Sequence, residues 1–114
     1  MPADVVIVLT TLGIATDAAA FAETLVQERL AACVSLLPPM LSVYRWEGAV
    51  VRDEERQVVI KTTRDALPQL EVRVRALHPY AVPEWLVIEA GGASAYLAWV
   101  TASVVPLRSV PPAS

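Results

Sequence analysis

Apolar positions change their spacing several times along the chain, and each change marks an element. Val5 to Leu9 is an unbroken run of branched or long apolar residues, the pattern of a strand buried on both faces. That strand is placed over Asp4 to Thr11. From Ala18 the spacing becomes helical: Ala18, Ala22, Leu25, Val26 and Leu30 form one stripe, and Glu23, Gln27 and Glu28 fall opposite. Thr16 or Asp17 stands ready to cap this helix, which is expected near residues 16–32.

Cys33 opens an extended region that Pro38-Pro39 interrupts, because proline donates nothing to a ladder. From Leu41 the period is two. Ser42, Tyr44 and Trp46 share one face, and Leu41, Val43 and Arg45 share the other. Glu47-Gly48 supplies a reversal, and a second run continues to Thr63, charged at Arg52 to Arg56 and apolar at Val58-Val59-Ile60. This hairpin over 41–63 has strands about twice the usual 5–6 residues. Leu67, Leu70, Val74 and Leu77 restore a helical stripe near 65–78, with Asp65 as cap, Pro68 tolerated in the first turn and Pro79 as stop. Trp85 to Glu89 is a fourth main strand, Gly91-Gly92 a turn, and Ser94 the cap of a last helix carrying Tyr96, Trp99 and Val100.

Strand, helix, strand, strand, helix, strand is the split βαβ, ferredoxin-like order, and right-handed crossovers place both long helices on one face. The fold class is therefore α+β: an antiparallel sheet, two main helices on one face, a long central hairpin and a short C-terminal helix. Residues 1–105 form a single domain and 106–114 a Pro/Ser-containing tail.

Composition adds one demand. Of 114 residues, 55% are hydrophobic and 18% charged, against about 25% charged in a typical globular protein. So small a domain with so few charges has an apolar exterior to hide, and self-association hides it. No apolar run approaches the roughly 18 residues that span a bilayer. The start, Met1-Pro2-Ala3-Asp4, lacks the basic region of a secretory signal, and a single cysteine forms no intrachain disulfide. These features point to the cytoplasm, away from membranes. A net charge of -3 and a pI near 5.0 argue against nucleic acid as partner.

Candidate chemistry gathers in His78-Pro79-Tyr80-Ala81-Val82-Pro83-Glu84, where two prolines stiffen a connector carrying the chain's one histidine, a phenol and a carboxylate. Lys61 follows an apolar run on a strand expected to be central, where an ammonium needs a carboxylate, an anionic ligand, or an escape beside Glu55 or Glu84. Catalytic sets are missing. Cys33 lies among apolar neighbours, Asp53-Glu54-Glu55 reads as a solvated charge run, and no glycine-rich phosphate loop exists.

Glu28-Arg29-Leu30-Ala31-Ala32-Cys33-Val34, Tyr44-Arg45-Trp46-Glu47-Gly48, the histidine heptad and Tyr96-Leu97-Ala98-Trp99 occur in that order, and together they resemble the CutA family of divalent-cation-tolerance proteins. The likeness runs from about Val5 to about Ser103. It implies a non-enzymatic homotrimer, PII-like in build, that serves tolerance of or response to divalent metal ions such as copper. It also implies clefts between subunits lined by Lys61, His78, Tyr80 and Glu84, with Tyr44 and Trp46 nearby. The alternative under the same likeness is a sensor or adaptor that holds an anionic small molecule there and signals to a partner protein. Some members carry a cysteine near position 10 and a second histidine at position 77, where this chain has Thr10 and Leu77. If a metal binds, His78 is the expected ligand, since imidazole suits Cu2+ and Zn2+. One imidazole leaves the sphere to be completed by Glu84, water or other chains, so binding should be weak and unnecessary for folding.

Overall fold

The computed structural model describes residues 4–78 and 82–105. Its elements are β1 (Val5–Gly13), α1 (Ala18–Gln27), β2 (Cys33–Leu36), β3 (Met40–Trp46), β4 (Ala49–Thr63), α2 (Leu67–Leu77), β5 (Leu86–Glu89) and α3 (Ser94–Ser103). All pairings in the five-stranded sheet are antiparallel. The order is β2-β4-β1-β5, with β3 also paired to β4, which is the ferredoxin-like layout expected.

Pro38-Pro39 splits the extended region expected from Cys33 to Trp46 into β2 and β3, both lying along the same edge of β4. That makes five strands where four main ones were anticipated. The reversal between β3 and β4 has two central residues, Glu47 at φ 49 and Gly48 at φ 81. Two successive positive φ angles define the tight turn that suits right-twisted strands.

Side-chain alternation sets the two faces. Val8, Leu12, Val58 and Ile60 point to one face and pack with Phe21 and Leu25 of α1 and Leu70 and Val74 of α2. Both long helices thus share a face. Val5 points to the opposite face, where Val100 of α3 and Val104 join it with Ala32 and Ala66.

Several local readings are corrected. α1 ends at Gln27 instead of running towards 32, and Arg29 at φ 60 turns the chain back. Phe21 replaces Ala22 and Val26 in the buried stripe, and Val26 is exposed. Asp17 is the cap, accepting from the Ala20 amide at 3.0 Å. Neither Asp65 nor Ser94 caps its helix. A single 3-10 turn, Arg64–Ala66, leads into α2 instead, and α3 begins at Ser94 without a side-chain cap.

β1 pairs with β4 over residues 55–63 of the latter. Residues 49–54 of β4 have β3 as their neighbour, and the two strands project as an arm. The arm shows apolar groups on both faces: Leu41, Val43 and Val50 on one, Tyr44 and Trp46 on the other. Among the described residues no helix is long and apolar enough to cross a membrane.

Candidate functional site: an acid-walled groove on the open sheet face

Where the arm leaves the sheet, on the face away from α1 and α2, lies an open groove of about 810 Å³. Its construction follows from period two. Ser42, Tyr44 and Trp46 alternate onto this face of β3, opposite Asp53, Val51 and Ala49 of β4. Asp53 and Glu55 project to the same side, Thr11 of β1 closes the floor, and Val82, Pro83 and Glu84 form the far wall.

Glu84 is positioned from β4. The Gln57 amide donates both to Glu84 Oε2 at 2.8 Å and to the Thr10 carbonyl at 2.7 Å, so one NH2 group ties the wall to the floor. Tyr44 donates to Asp53 Oδ2 at 3.4 Å across the strand pair. Lost hydration, together with the neighbouring charges of Asp53 and Glu55, raises the Tyr44 phenol above its ordinary value. The groove therefore disfavours added negative charge.

The other expected site residues stand elsewhere. His78, at the C-terminal cap of α2, is 7% exposed and does not line the groove. Its Nε2 pairs with the Thr11 carbonyl, and because a carbonyl offers lone pairs alone, Nε2 carries the proton. The ring thus pins the end of α2 to β1. Lys61 shares the face of Gln57, but it lies six positions from Glu55, about 20 Å along an extended strand. Its Nζ sits 5.6 Å from the centre of the Tyr96 ring, and Tyr96 in turn leans on Trp99 at 5.5 Å. The expected escape beside Glu55 or Glu84 is replaced by this cation–π contact from α3. Tyr80 lies outside the described residues. Within the single chain, Tyr44, Trp46 and Glu84 come together, while Lys61 and His78 do not join them.

Asp53 and Glu55 are groove residues that reading them as a solvated charge run missed. The signal was parity: with Tyr44 facing the groove and a two-residue turn at 47–48, odd positions of β4 must face it as well. Among the described residues no three His, Cys, Asp or Glu side chains converge closely enough to hold a metal ion.

The profile of the CutA1 divalent ion tolerance proteins matches residues 6–103. The chain belongs to that family. It is 47% identical over 95 residues to the divalent-cation tolerance protein CutA of Thermus thermophilus, covering 82% of this chain and 92% of that one. The solved structure of the Cut A1 protein from the same organism superposes with a TM-score of 0.84 at 44% identity, covering 89% and 99% of the two chains. The PII-like protein CutA from Nostoc sp. PCC 7120, solved in apo form, gives a TM-score of 0.83 at 31% identity, covering 90% and 99%. The family is one of divalent ion tolerance, and its members share the present fold.

Proposed function

We propose that the chain is a non-enzymatic, cytoplasmic protein of divalent metal ion tolerance, acting as a homotrimer, with copper as the ion it answers to. The observation that supports a cation is the sign of the groove: Asp53, Glu55 and Glu84 stand on its walls, and clustered carboxylates raise the local concentration of positive ions. No complete ligand set lies among the described residues of one subunit, so the ion is held weakly, with water and groups from a neighbouring copy completing its sphere. His78, whose Nε2 pairs with the Thr11 carbonyl, is the imidazole we assign to that purpose, and its ring must leave its buried setting to reach an ion. Calorimetric titration with Cu2+ tests this. Weak binding by the wild type, reduced in Glu55→Gln and again in His78→Ala, is expected. Tight and equal binding by all three would remove both groove and imidazole from the site.

The projecting arm supports assembly. A lone two-stranded ribbon is marginal in water, and this one carries apolar groups on both sides. Other copies packed against it bury those groups at about 25 cal/mol per Å²; the number three follows the family resemblance.

A PII-like sensor of an anionic ligand is the second reading. It is favoured by Lys61, whose ammonium rests over Tyr96 on the same sheet face, where a second chain could complete a cleft. Quenching of Trp99 fluorescence by small anionic metabolites, abolished in Lys61→Met, would bring this reading ahead.

A further inference from the structure

Period two sorts the charges of the projecting arm by sign. Arg45 and Arg52 stand exposed on the face that carries Leu41, Val43 and Val50, with Glu54 as the one carboxylate there. Arg56, further in on that face, is engaged by the Leu37 carbonyl, to which it donates at 3.2 Å. The groove face carries Asp53 and Glu55 beside Tyr44 and Trp46, and the arm places no cation on it. Among the described residues, neither Arg45 nor Arg52 has an ion pair, and neither do Asp53 and Glu55. Spacing makes the two faces a match. Val43 lies opposite Arg52 and Arg45 opposite Val50, so the arginines are diagonal neighbours with backbones about 7–8 Å apart. Asp53 and Glu55 are two positions apart on one strand, about 7 Å. Each like-charged pair repels itself in isolation, and a face of opposite sign relieves both.

We propose that the arm of one copy lies with its arginine face on the groove face of the next, Arg45 and Arg52 meeting Asp53 and Glu55. The contact is heterologous: every copy offers both faces, so the same pairing repeats head to tail. Each groove is thereby completed by guanidinium groups from a neighbour, and the guanidinium fork suits two-point contact with a carboxylate. The apolar residues around both pairs, Val43 and Val50 on one face and Tyr44 and Trp46 on the other, keep water from the contact and strengthen it. This contact rests on the assembly reading above and adds what that reading lacks, the occupant of the acid wall and the direction of packing. Glu55 also belongs to the proposed cation site, so an ion and the neighbour's arginine exclude each other there.

Equilibrium sedimentation of the full chain and three charge-reversed forms tests it, with circular dichroism checking that each subunit is folded. Arg45→Glu with Arg52→Glu reverses one face, Asp53→Arg with Glu55→Arg reverses the other, and the third form carries all four changes. Each one-face reversal should weaken association at least about tenfold, because like charges then meet. The four-change form should return to within about threefold of the wild type, since opposite signs meet again with the faces exchanged. Wild-type association should also weaken between low salt and about 1 M, where screening acts over about 3 Å; this readout needs no variant. Association that neither reversal nor salt changes would overturn the contact while leaving assembly in place. A four-change form as weak as the one-face reversals would overturn it too, since charge matching would then not orient the copies. A wild type that stays monomeric would remove the assembly reading itself, and this contact with it.

Discussion

At Tyr44 the groove acts on a single proton. The phenol loses hydration and faces Asp53 and Glu55, so its folded value lies above the ordinary value of 10.0. A group raised on folding contributes stability that is present below the unfolded value and lost as pH rises through the folded one. Ultraviolet titration should show Tyr44 ionising later than free tyrosine, with Asp53→Asn moving it back towards the ordinary value; Tyr44→Phe identifies the transition. An unchanged titration in Asp53→Asn would disconnect the two groups. His78 offers a second residue-scale test. Its imidazole satisfies the Thr11 carbonyl in a buried setting, so His78→Ala should lower stability by about 1–3 kcal/mol in urea unfolding, whether or not metal is present. A stability unchanged by the substitution would mean the ring does not fasten α2 to β1.

At the scale of elements, hydrophobic period carried most of the fold. Val5 to Leu9, the two-residue alternation of β3 and the Leu70-Val74 stripe each found the right element. Boundaries were harder, because polar residues near helix starts compete on geometry that spacing does not reveal. Asp17 reaches the Ala20 amide, whereas Asp65 sits within the 3-10 turn and Ser94 is already helical. Phe21 was overlooked since the stripe drawn through Ala22 and Val26 is equally periodic; the larger ring takes the core and rotates α1. Lys61 was expected to meet a carboxylate or an anionic ligand, or to escape beside Glu55 or Glu84; within the chain its ammonium lies over Tyr96, 35 positions away, and strand alternation gives no information on what α3 lays across the sheet. Removing the Asp17 cap as Asp17→Ala should cost about 0.5–2 kcal/mol. Gly48→Ala meets no atom within 4 Å, so its cost should be backbone strain alone, about 1–2 kcal/mol at φ 81. Thermal melting of the two variants checks both figures.

At the scale of the whole molecule, the groove was half legible. Tyr44, Trp46 and Glu84 were named from motif and alternation, and they do meet. Asp53 and Glu55 required the register of β3 on β4, and that register depends on which two residues turn. Trp46 stands 50% exposed on the arm, and Trp46→Glu should shift light-scattering mass from that of the proposed trimer towards monomer at micromolar concentration while circular dichroism of the subunit is retained. A wild type that scatters as a monomer would end the assembly proposal, and with it the neighbouring copy on which metal coordination depends.

β4 is a single uninterrupted strand that belongs to two environments. Its residues 55–63 have β1 on one side, with β2 and the base of β3 along the other, and its residues 49–54 have β3 alone. The strand is consequently a zipper with a graded closing strength, and it should open from the Glu47-Gly48 tip inwards. Deuterium would enter the outer amides first and stop near Glu55, where the second neighbour begins. Whatever seats against the arm would shift that front outwards, so the position of the front along one strand becomes a gauge of assembly that can be read residue by residue.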